Sequence, residues 1–430
     1  MTPRLSSSET LQNVGRLASG TAIAQAAPLL ATPILTRLYT PVQFGEYGVF
    51  VALLMGLSVV VSGRYEVAVP LPKSDDKAYS LLALSLIVSV MLSAVLAVTG
   101  VVASVIVDPK ALASLGVTSR TVIMLPVGIL FAAVMQSAGY WFTRQGAFRI
   151  VALARSLMGI ITALAAIALG AVGISSGLIV SVLMGYVVTG SVLLVALIRR
   201  TRGMTAGISG ASLKAVAREY REFPLLNSPH ALLDTARESL TLMLTGALFG
   251  PTVLGFLSQT LRVLRAPMSL IGQAVSQVFF PRASRAHAEG TSLAPLTRRT
   301  MRGVLAVSVP IYLAVLVAGP WLFSVVFGPT WRQSGVYAQI LSPWLALVLV
   351  VSSLSTLPII KRQQPRALAI NVVETATRLI ALLVGARFAG VRGAIAGIAI
   401  AGLLVGMGQL AWYRHLAAMA PRVAGIGSEE

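Results

Sequence analysis

The chain has 430 residues, of which 56% are hydrophobic and only 11% charged, with a mean hydropathy of +0.84 and a formal net charge of +20. This composition excludes an ordinary water-soluble globule and places the chain among integral membrane proteins. The positive charges lie in short connections between apolar runs, not on a soluble basic face or arm, so they do not signal nucleic acid.

Apolar runs of roughly 20 residues, the length needed to cross a bilayer, recur twelve times. They cover 14–36, 46–63, 79–107, 119–142, 150–170, 174–198, 224–247, 252–280, 303–327, 335–360, 366–386 and 392–413. The first run is long, holds Arg16 and lacks a short apolar core followed by a small-residue cleavage site, so it reads as a retained helix and not as a signal peptide. With the N-terminus in the cytoplasm, the even-numbered connections and both tails carry twenty-two Lys or Arg against six in the odd-numbered connections. That asymmetry sets a multi-pass orientation with both termini cytoplasmic. The longest basic connection, around 199–222, holds an amphipathic stretch at Ala211–Glu222. It reads either as a surface helix joining two halves or as a solvated linker. Cysteine is absent and the three histidines, His230, His287 and His415, are too scattered for a metal site.

An internal repeat is visible. Leu38-Tyr-Thr-Pro41-Val-Gln-Phe-Gly45 and Leu248-Phe-Gly-Pro251-Thr-Val-Leu-Gly255 are both L-x-x-P-x-x-x-G, each between the first and second spans of its half. Gly170-Ala-Val-Gly173-Ile-Ser-Ser-Gly177 and Gly390-Val-Arg-Gly393-Ala-Ile-Ala-Gly397 share G-x-x-G-x-x-x-G at a similar offset. The reading is all-α: two six-helix lobes, residues 1–200 and 223–430, joined by a cytoplasmic linker over 201–222. An even number of spans per lobe relates the lobes by a pseudo-two-fold axis along the membrane normal, an organisation of transporters that work by alternating access.

Clear of the first two residues at either end, six arginines lie inside the spans, Arg16, Arg155, Arg237, Arg262, Arg265 and Arg378, against three acids, Asp234, Glu238 and Glu374. A guanidinium stays protonated, so at bilayer depth it needs water, a counter-ion or an anionic ligand. Asp234 shares a helix face with Arg237 and Glu238, and Glu374 precedes Arg378 by one turn. These groups are either self-neutralised packing or cation and proton sites. Arg16 and Arg155, near span ends, either snorkel to a head group or pair with another helix. Arg262 and Arg265 share a face with no acid anywhere between Thr252 and Phe280. That pattern points to an anion, and phosphate or diphosphate suits two guanidinium forks. Neutral polar residues such as Gln136 and Gln259 suit either sugar hydroxyls or interhelical bonds, whereas Tyr140, Trp141, Trp331, Trp344 and Trp412 read as an interfacial aromatic belt.

Several segments carry a family likeness. Arg37-Leu-Tyr-Thr-Pro-Val-Gln-Phe-Gly-Glu-Tyr-Gly48, Gly63-Arg-Tyr-Glu-Val-Ala-Val-Pro-Leu-Pro72, Glu222-Phe-Pro-Leu-Leu-Asn-Ser-Pro229, Arg262 through Pro281 and Val326-Phe-Gly-Pro-Thr-Trp331 resemble the Wzx-type polysaccharide and O-antigen flippases. Those proteins form a branch of the MOP (multidrug/oligosaccharidyl-lipid/polysaccharide) superfamily. The resemblance implies a bacterial inner-membrane carrier, not an enzyme. Its substrate would be a polyprenyl-diphosphate-linked oligosaccharide, moved from the cytoplasmic to the outer leaflet through a cationic central cavity, for lipopolysaccharide or exopolysaccharide assembly. Membrane lipid, a polysaccharide polymerase and chain-length proteins would be its partners, with no cofactor beyond a coupling proton or sodium ion. Arg64 and Glu66 fall in the family's R-Y-E motif; Arg16, Arg262 and Arg265 match cationic helices one and eight by segment only. The head-group candidates are thus Arg262, Arg265, Arg16, Arg64, Arg155, Arg237 and Arg378. The coupling candidates are Glu66, Asp234, Glu238 and Glu374. Peptidoglycan-precursor flippases usually have two further helices, which this chain lacks. The alternatives are a cation-coupled multidrug exporter of the same superfamily, which calls for an acidic or apolar cavity, and a non-transporting membrane component of glycan assembly.

Overall fold

The computed structural model describes residues 26–108, 112–113, 117–202 and 209–419. Among these, helices follow one another throughout: α1 (Ala26–Leu38), α2 (Pro41–Ser58), the short α3 (Tyr65–Ala68), α4 (Asp75–Ile106), α5 (Ser119–Arg144), α6 (Phe148–Ala171), α7 (Gly177–Thr201) and α8 (Gly210–Glu219). After a π-helical turn at Phe223–Asn227 come α9 (Ser228–Ala288), α10 (Ala294–Phe327), α11 (Arg332–Ser353), α12 (Leu357–Ile360) and α13 (Gln364–Ala418). Helices α9 and α13 are each two spans joined by a kink, at Gly250 and at Ala389–Gly390. Each of the twelve expected spans is thereby met by a helix or a helical arm, the first of them over its described residues. The protein is an all-α polytopic membrane protein. Its spans leave large apolar side chains bare, Val98 at 64%, Val105 at 80% and Val317 at 73% exposure, a surface suited to lipid and not to water.

The chain divides into two compact units, one ending at Ser258 and one starting at Gln259. In the first unit, the repeat motifs prove to be each other's packing partners. Thr40 caps α2, its hydroxyl accepting from the Gln43 amide at 3.4 Å while the Gln43 side chain accepts from the Thr40 amide at 2.8 Å, and Pro41 occupies the first turn. At the equivalent turn Gly250 adopts φ 83° ahead of Pro251, a left-handed conformation that glycine permits. A Cβ on Gly45 would stand 2.6 Å from the Pro251 carbonyl oxygen, and one on Gly255 would collide with the Pro41 carbonyl. The two helix starts therefore cross backbone to backbone, and Ser258 secures the crossing by donating to the Phe44 carbonyl at 3.0 Å.

The second glycine motif works differently in its two copies. Gly170 and Gly177 make room for the Tyr39 ring, whose hydroxyl donates to the Ala166 carbonyl at 2.7 Å. Gly393 and Gly397 instead allow the two arms of α13 to touch, against Gly385 and Ala381. The positive-φ residue is Gly173 in the first copy and Gly390 in the second, so the matched glycines are not structurally equivalent one by one.

The amphipathic linker forms α8, with Ser209 and Ser212 in a capping box. It docks its Val216 into a cluster with Leu81, Leu82, Trp141, Phe142, Leu193 and Leu197. Lys77 at the start of α4 and Glu219 form an ion pair of 2.6 Å at its end. In the second unit α10 and α11 repeat the backbone crossing, at Gly319 and Gly335.

The crossing at Gly255 gives a direct test. Gly255→Val is expected to cost about 3 kcal/mol through overpacking against backbone that cannot yield. Gly303→Ala, where an added methyl meets open space, should stay within about 0.5 kcal/mol. Thermal unfolding of the two detergent-solubilised variants measures both.

Candidate functional site

In the first unit, α5, α6 and α7 enclose a cavity of about 340 Å³. Arg155 lines it from α6, Gln136, Tyr140 and Thr143 from α5, and Tyr186 from α7. Arg155 lies about two turns from the start of its helix and faces this cavity. Tyr140 also faces the cavity instead of joining an aromatic belt. Gln136 reaches on to the Ser58 hydroxyl at 3.5 Å.

The R-Y-E segment is built by an uncommon backbone. Gly63 and Arg64 both have φ 60°, and the second of these is a left-handed arginine, a conformation that side-chain-bearing residues adopt rarely. The turn directs Glu66 into the interior, fully buried, where it accepts from the Ser62 hydroxyl and stands 3.9 Å from Arg64 Nη1. Arg144 fastens the following stretch by donating to the Pro72 carbonyl at 2.6 Å and pairing with Asp75 at 2.9 Å. Glu66 sits in the connection between α2 and α4, outside the spans. Burial raises its carboxyl above the usual 4.5, outweighing the Ser62 hydrogen bond, a backbone hydrogen bond and Arg64, which act to lower it.

On the first arm of α9, Arg237 is half-buried and Glu238 exposed. Asp234 is on the same arm, its side chain outside the described residues. In the second unit the second arm of α9 carries Gln259, Arg262 and Arg265. Gln259 is fully buried, and neither atom of its amide has a hydrogen-bond partner among the described residues. Arg262 and Arg265 are half-buried and engaged in interactions. Beside Arg265, Tyr312 of α10 donates to the Leu264 carbonyl at 2.7 Å.

Arg378 is resolved differently. At 4% exposure it pairs with Glu374 one turn earlier on α13, and its guanidinium lies 4.5 Å over the Trp344 ring of α11. Trp344, Trp331 and Trp141 are all buried, which corrects the aromatic-belt reading for these three. Their nearness to span ends hid the fact that they face inward. Arg16 lies outside the described residues.

A family model described as polysaccharide biosynthesis protein matches residues 34–335. The chain belongs to this polysaccharide biosynthesis family. No curated protein matches it. Among solved structures, an inward-facing multidrug-resistance MATE transporter of the MOP superfamily aligns with TM-score 0.65 and 16% identity, over 97% of this chain and 96% of that one. The lipid II flippase MurJ in an inward closed conformation aligns with TM-score 0.71 and 13% identity, over 92% and 87%. A MOP-superfamily transporter from Pyrococcus furiosus, described as having a binding pocket of reversed polarity, aligns with TM-score 0.60 and 16% identity, over 94% and 95%. At these identities the likeness establishes the fold, that of MOP-superfamily transporters. Family and fold together agree with the flippase resemblance of the sequence segments.

Two outcomes follow. Arg378→Met should cost about 3 kcal/mol by stranding Glu374, and the double variant Arg378→Met/Glu374→Met should recover most of it; a double-mutant cycle by thermal unfolding checks this. For Glu66, the folded protein holds a proton that the unfolded chain releases, so its contribution is greatest at acid pH. It is lost as pH rises from about 4.5 through the raised value. Glu66→Gln should flatten that limb of the curve of melting temperature against pH.

Proposed function

We propose that this protein is a flippase that carries polyprenyl-diphosphate-linked oligosaccharide from the cytoplasmic to the outer leaflet of the bacterial inner membrane, for surface polysaccharide assembly. The observation that carries the reading is the second arm of α9. It presents Gln259, Arg262 and Arg265 at bilayer depth with no acid from Thr252 to Phe280. Membership of a polysaccharide biosynthesis family supplies the glycan, and a MOP fold supplies a transporter architecture.

In this reading the diphosphate is held by guanidinium forks, first among them Arg262 and Arg265. Arg155, Arg64, Arg16 and Arg237 are the further head-group candidates, and the isoprenoid tail stays in lipid. The six-helix halves 1–200 and 223–430 expose the head group alternately to each side, linked through 201–222, with both termini cytoplasmic. The protein acts as a carrier and not as an enzyme. An inside-negative potential assists the outward step by about 2.3 kcal/mol per charge per 100 mV. Glu66, Asp234, Glu238 and Glu374 are the groups able to couple a proton or sodium ion to it.

Proteoliposomes loaded with a fluorescent polyprenyl-diphosphate glycan test the reading. Arg262→Glu/Arg265→Glu, compared at equal amounts of folded protein, should lower head-group translocation by about a hundredfold, in line with the loss of two charge-assisted contacts. Translocation at the unmodified rate by that folded variant overturns the assignment.

A further inference from the structure

We infer that the pocket where α10 begins and α13 ends binds the phosphate of an anionic membrane phospholipid. The site is independent of the transported substrate and lies wholly within the second unit. Its cavity measures about 370 Å³ and takes Thr297, Arg298 and Met301 from the first two turns of α10, and Ala411, Arg414 and His415 from the last two turns of α13. No acidic residue lines it.

Two features converge on a phosphate. Two guanidinium groups, Arg298 and Arg414, stand exposed at the rim. The second feature points to a ligand by itself. Thr297 is 2% exposed and lines the cavity, yet its hydroxyl has no hydrogen-bond partner among the described residues. A helical threonine ordinarily returns its hydroxyl to the carbonyl one turn back. Here the Leu293 carbonyl accepts the Thr297 amide at 2.9 Å and the hydroxyl stays unused. A buried donor left without a partner is costly, and an anionic oxygen in the pocket would meet it.

The position in the membrane selects the source of that phosphate. Arg298, Arg299, Arg302 and Arg414 mark the charged ends of two spans, the level of lipid head groups. A few turns inward, Leu305 of α10 and Met407 of α13 are exposed apolar residues of the kind that meet acyl chains. Met301 and Ala411 give the pocket an apolar wall along which a glycerol backbone continues into the bilayer. A head-group phosphodiester thus reaches the arginines and the hydroxyl while its chains remain in lipid.

Native mass spectrometry of the full-length protein released from nanodiscs tests this, with phosphatidylglycerol mixed into phosphatidylcholine as the probe. The wild-type protein should retain phosphatidylglycerol. Arg298→Gln/Arg414→Gln should lower that retention about tenfold, whereas the charge-matched control Arg199→Gln/Lys214→Gln leaves it unchanged. Thr297→Val removes only the hydroxyl. In pure phosphatidylcholine it should keep or raise the wild-type melting temperature, and in phosphatidylglycerol it should lose the lipid-induced rise. Equal loss in the control means bulk charge alone and overturns the site. Protection by inorganic phosphate in pure phosphatidylcholine that matches phosphatidylglycerol overturns the lipid as its ligand.

Discussion

Where Gly45 meets Pro251 and Gly255 meets Pro41, two helix starts approach until only hydrogen atoms separate their backbones. Lipid offers no hydrophobic reward for bringing one apolar helix to another, so helices in a bilayer associate by close packing and polar contact. Small residues supply the close packing. The same solution recurs at Gly319 with Gly335 and at Gly385 with Gly393. Gly250 and Gly390 take positive φ at the turns that separate the two arms of α9 and of α13.

Charges are then accommodated by whatever the packed helices place beside them. Arg378 illustrates full internal compensation: Glu374 neutralises it and the Trp344 face covers it. Arg155 has a different setting, exposed along a cavity that Gln136, Tyr140 and Tyr186 share with apolar side chains. Both residues read alike in a sequence scan, as arginines in apolar runs. Glu66 shows a third arrangement, a carboxyl turned inward by a strained left-handed arginine and kept protonated more readily by burial.

Much of the chemistry was legible in order along the chain. The L-x-x-P-x-x-x-G motif was visible as a repeat, and its structural meaning is that the two copies pack on each other. The R-Y-E segment stood out by resemblance, and its geometry explains why both Arg64 and Glu66 belong to one turn. Trp344 was misread because distance from a span end says nothing about which face of the helix a ring occupies. The role of Tyr186 had no sequence signal at all. A tyrosine in an apolar span becomes a cavity wall only through the helices that lie opposite it.

The sequence by itself determined the membrane class, the number of spans, the duplicated motif and the surplus of positive charge at depth. These depend on local composition and on the fixed thickness of a bilayer, quantities that any stretch of chain carries without reference to the rest. Tertiary structure alone decided which arginine is neutralised, which glycine turns the chain and which touches a neighbour, and where Thr297 leaves its hydroxyl. Those outcomes depend on contacts between residues tens to hundreds of positions apart, and a pattern read along one helix cannot specify the side chain that faces it from another.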